Sequence, residues 1–129
     1  MLNKEIYKGA LKLLGEVANE EMTADYADRA PYILANFICE NAALNAKYCE
    51  FCGETERRAH SAVYAALDGE FPLSSRFAPS AEYYLAAMLI DGEDGDRSDT
   101  FFDRHCKALA EILAEIPATR QRILNAYGA

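Results

Sequence analysis

Apolar residues return along this chain at intervals of three and four, the spacing that places them on one side of a helix. Ile6, Ala10, Leu13, Leu14 and Val17 make the first such face. A polar break, "ANEEMTAD", follows, with Thr23 and Asp25 as candidate N-caps. Tyr26, Ala30, Leu34, Phe37, Ile38, Leu44, Tyr48 and Phe51 then keep the same rhythm and predict the longest helix. Pro31 within it either kinks the axis or stands in the first turn of its main part.

The middle of the chain is less regular. Residues 54–67, "ETERRAHSAVYAAL", read as a helix with Ala59, Ala62, Val63, Ala66 and Leu67 on one side, although "SAVYAAL" also fits a short strand. Gly69, Pro72 and a serine pair then predict an extended connector around residues 68–78. Phe71, Leu73 and Phe77 are large apolar residues for a connector, and they must be covered by this chain or by another. They are therefore candidate protein-contact residues.

Pro79 suits the first turn of a helix whose inner face is Ala81, Tyr84, Leu85, Met88 and Leu89. Tyr83 and Tyr84 are adjacent and cannot both face one core, so Tyr83 joins the candidate contact residues. "DGEDGDRSD" breaks the pattern, and Ser98 or Asp99 is expected to cap the next helix. Its stripe is Phe102, Cys106, Leu109, Ile112, Leu113 and Ile116, with Pro117 at its end. "ATRQRILNAY" supplies a short amphipathic tail. The expected fold is all-α: a single helical domain over 1–129, a bundle of four main helices plus a short C-terminal helix.

Composition narrows the function. A chain of 129 residues, 51% hydrophobic, is one domain with one core. No run approaches the ~20 apolar residues of a membrane span, and "MLNKEIYKGALKLLGEV" has no secretory h-region. A cytoplasmic chain with four reduced cysteines is expected. The net charge of -8 disfavours static capture of nucleic acid, while leaving DNA free to pass an acidic wall.

The candidate chemistry is sparse. Cys49 and Cys52 form C-x-x-C before Gly53, half of a zinc site, but a second ligand pair is missing from the neighbourhood. Cys39 lies ten residues earlier and His60 eight later, and adjacent His105 and Cys106 diverge by about 100° on a helix. A redox pair belongs at a helix start, and this one falls at a predicted helix end. The simpler reading is a last helical turn with Gly53 as its C-cap. "DGEDGDRSDTFF" fails as a calcium loop in both registers, lacking Gly at position six and Glu at position twelve. No nucleophile–base pattern, Glu-x-x-His or phosphate loop stands out. The expectation is a non-enzyme without catalytic residues, cofactor or metal.

Residues 66–112, "ALDGEFPLSSRFAPSAEYYLAAMLIDGEDGDRSDTFFDRHCKALAEI", resemble the C-terminal half of small head–tail connector (adaptor or neck) proteins of tailed bacteriophages and prophages. The matching elements are Leu67 and Asp68, then Phe71, Pro72 and Leu73, then Ala81, Tyr84, Leu85, Ala86, Ala87 and Leu89. After the acidic gap come Phe102, Leu109 and Ile112. "ALKLLGE" and "YADRAPYILANFICENAAL" are similar to the opening helices of that class, and the middle departs from it by lacking a longer insertion. The resemblance implies a non-enzymatic virion structural protein, a homo-oligomer in a ring beneath a portal protein that extends the DNA channel. It would meet DNA only in passage, bind no membrane, and be made in the host bacterial cytoplasm before assembly into a virion. The other expectation is a small cytosolic helical regulatory or adaptor protein that binds another protein.

Overall fold

The computed structural model describes residues 1–15, 24–55 and 63–117. Among these residues four α-helices run in order: α1 (Asn3–Leu14), α2 (Ala24–Cys52), α3 (Ala78–Ile90) and α4 (Gly95–Ala114), with a 3-10 turn at Ser75–Phe77 before α3. The chain is all-α. α3 is the central helix, packed by α1, α2 and α4. Its Ala81, Leu85, Ala86, Ala87 and Leu89 are buried, and its four alanines, Ala78 included, let neighbouring backbones come close.

Several helix ends have a local cause. Gly15 and Gly53 carry the positive φ values, 74° and 73°, that terminate α1 and α2. Gly53 is the expected C-cap: the Glu54 N–H donates to the Cys49 carbonyl at 3.0 Å across the turn. Pro79 stands in the first turn of α3, also as expected. α4 starts earlier than Ser98 or Asp99. Asp94 caps it, accepting from the Arg97 N–H at 3.1 Å, while Ser98 is buried and donates to the Ala87 carbonyl at 2.8 Å. Asp25 is likewise inside the first turn of α2, bonded to Arg29, and not its cap. Pro31 lies within α2, and its carbonyl accepts from the Ala65 N–H at 3.0 Å.

The helix read over 54–67 is corrected where it can be followed. Val63–Leu67 are not helical, and the irregular path continues to Ser74. This segment closes the start of α1: the Asn3 and Lys4 N–H groups donate to the Gly69 and Leu67 carbonyls at 2.9 and 2.8 Å. Those are N–H groups that no carbonyl of α1 itself can satisfy. The Asn3 amide donates to the Ala66 carbonyl at 2.9 Å, and an isolated bridge joins Leu2 to Glu70. The tertiary pairing takes the place of the extra helix. Thr23, Val17, His60 and the expected helix in 118–127 lie outside the described residues.

Candidate functional site

The expected contact residues are mostly core. Phe71, Leu73 and Phe77 are all buried within this chain, Phe77 completely. The Phe77 ring packs edge-on to Tyr48, centroids 6.0 Å apart. Of the two ways the sequence left for covering them, the structure shows cover by this chain itself. The physical reason is the fastening of the connector to the start of α1, which turns its apolar side chains inward. Tyr83 is half-buried, stacked on Phe101 at 6.5 Å with the Arg104 guanidinium 5.9 Å from its ring. Tyr84 is the buried member of the pair.

The exposed apolar surface lies elsewhere. Tyr32 on α2 and Tyr64 on the irregular segment are both about half exposed and meet edge-on at 5.1 Å, next to Val63, which is 81% exposed. Tyr32, Ile33, Met88 and Tyr84 line a shallow groove of about 350 Å³ between α2 and α3. The Tyr84 ring in turn meets Phe102 of α4 at 6.5 Å. Phe102 and Leu113, expected in the core, are exposed by 38% and 47%. The core side of α4 is Ser98, Phe101, His105 and Ile112. One residue of helical offset separates Phe101 from Phe102, and sequence spacing alone assigns the wrong one to the interior. Tyr32 carried a signal too, being off the face set by Tyr26, Ala30 and Leu34.

A polar pair sits inside. The Ser80 hydroxyl is 2.8 Å from Nδ1 of His105 and donates toward the His105 carbonyl at 3.2 Å, joining α3 to α4. Phe37, Tyr84 and Phe102 surround the imidazole, with centroids 5.0 to 5.7 Å away. Burial lowers the His105 pKa from its ordinary value of 6.5, favouring the neutral ring. Both side chains are buried, so the pair fastens helices together.

The cysteine turn is built as a helix end. Cys49 is buried with its thiol 3.6 Å from Asn45 Oδ1, whereas Cys52 is exposed. A hydrogen bond with Cys52, with burial adding to it, pushes the Tyr48 hydroxyl up to about 12. Asn45 also accepts from the Ser74 N–H at 2.8 Å, and the Ser74 hydroxyl donates to Glu54 at 3.1 Å. The adjoining polar cavity, about 110 Å³, is too small for an organic cofactor. None of the four cysteines forms a disulfide, and among the described residues no three His, Cys, Asp or Glu side chains converge on a metal position.

No helix among the described residues is long and apolar enough to cross a membrane. No family model, no curated protein and no solved structure matches the chain.

Proposed function

We propose that the chain is a structural subunit of a phage or prophage head–tail connector. Copies of it form a ring under a portal protein and extend the channel through which DNA passes. The observation that carries this reading is the resemblance of residues 66–112 described above. The four-helix architecture and the net charge of -8, which discourages adhesion of DNA, are compatible with it. The expected short helix over 118–127 and the connector's part in assembly belong to the same proposal. So do the absence of catalysis, cofactor and metal, and the route from host cytoplasm into the virion.

With Phe71, Leu73 and Phe77 buried, the exposed Tyr32, Tyr64, Phe102 and Leu113 are the contact residues of this proposal. That exposed face equally favours a second reading, a cytosolic helical adaptor that binds another protein. Mass spectrometry of purified particles from an induced lysogen separates the two. The connector reading expects this chain in the particles at a copy number in constant proportion to the portal. Its presence in the cell extract but absence from intact particles refutes that reading.

A further inference from the structure

One flank of α4 is apolar without being core. Phe102, Cys106, Leu109 and Leu113 recur at intervals of four, three and four, sharing a side of the helix over roughly 16 Å. Phe102, Cys106 and Leu113 are exposed and Leu109 is half-buried. Through Phe102 against Tyr84 this stripe runs into the α2–α3 groove beside Ile33 and Met88. Among the described residues the edges carry Asp99 and Asp103, with Lys107 one turn beyond Asp103, on the outer side of the α4 stripe, and Glu40 and Lys47 on α2, which leaves the rim net negative. Glu40 lies near enough to Tyr84 to add to burial in raising its hydroxyl's pKa. Arg104 is turned away over Tyr83, and Arg29 is occupied by Asp25 and the Leu89 carbonyl.

We propose that this face binds an amphipathic helix of a partner protein, its apolar side on Phe102, Leu109 and Leu113 and lysines or arginines along its edge. Helix-in-groove docking needs an apolar track of this pattern, and three turns suffice to register it. Charge decides the occupant. A second copy would bring the same acidic edge, on a chain of net charge -8, against this one, whereas a basic edge is complementary. The proposal rests on the face alone and holds for a connector or a cytosolic adaptor, so the particle experiment above neither makes nor breaks it.

The probe is a labelled Leu/Lys peptide of about four turns with its leucines on one helical side. Controls are a scramble of the same composition and a Leu/Glu version, all read by fluorescence anisotropy on the full chain. Binding of Leu/Lys about tenfold tighter than either control is expected, with about a tenfold loss in Phe102→Ser plus Leu113→Ser. Leu113→Ser alone, at an exposed position, should still weaken binding severalfold if the double variant is poorly folded. Equal binding of the scramble, or undiminished binding by Leu113→Ser, overturns the proposal. Concentration-dependent self-association abolished by the same substitution also overturns it, since the face then belongs to a second copy.

Discussion

The Ser80 hydroxyl and Nδ1 of His105 lie 2.8 Å apart inside the junction of α3 and α4. His105 is held neutral by burial, with its pKa below 6.5. An unfolded chain therefore binds a proton at His105 at a pH where the folded chain does not, and stability rises with pH across that window. This contribution is complete above about pH 6.5 and is lost as pH falls toward the folded value. Thermal denaturation should give a midpoint that drops on acidification from pH 7 to 5. A Ser80→Ala plus His105→Phe chain, which removes both polar groups together, should flatten that slope. Glu82 works the other way, because burial raises its pKa above 4.5 and favours the acid side, so the His105 contribution is read as the difference in slope between the two chains, both of which keep Glu82.

Phe71 and Phe77 are fully covered by their own chain, so their removal is a matter of folding. Replacing either by Ser should cost about 3 to 5 kcal/mol of unfolding free energy, the range for losing a buried aromatic ring. Urea denaturation measures it. A cost under about 1 kcal/mol, the level of a surface change, would place these rings outside the core.

Gly9 stands in the middle of α1, where glycine costs about 1 kcal/mol relative to alanine. The cause is across the interface: a Cβ at Gly9 would collide with the carboxylate end of Glu82 on α3. Because that obstacle is the tip of a flexible side chain, Gly9→Ala should be nearly neutral alone. In a Glu82→Ala background it should stabilise by about 0.5 to 1 kcal/mol. A double-mutant cycle reads the coupling directly, and equal effects in the two backgrounds would remove Glu82 as the reason for the glycine.

Asn45 is buried and accepts from the Ser74 N–H at 2.8 Å, pinning the connector to α2. Asn45→Leu leaves that donor without its acceptor and should destabilise by about 1 to 3 kcal/mol. Exposed Cys52→Ser should change stability by less than about 0.5 kcal/mol. Guanidinium denaturation of the two variants checks the contrast.

Much of this architecture was legible in the residues. Four helical stripes, Gly53 as a terminator and Pro79 as an initiator rest on local rules, which act within a few residues. What spacing alone missed depends on partners far away in the chain. Residues 63–67 carry helix-compatible alanines, yet their carbonyls and N–H groups are taken by Asn3, Lys4 and Pro31. The same fastening turns Phe71 and Phe77 inward. The apolar side of α4 exceeds what its neighbours cover, so periodicity alone could not say that Phe101 is interior and Phe102 at the surface. Asn45 left no mark in the pattern because a buried amide is set by the loop it holds.

The most direct test of the assembly reading mixes the purified chain with the portal protein encoded nearest its own gene and measures mass by light scattering on a sizing column. A ring builder should co-elute with the portal in fixed multiple copies. Elution of the chain apart from an unchanged portal, at all concentrations and salt conditions tried, would contradict the account.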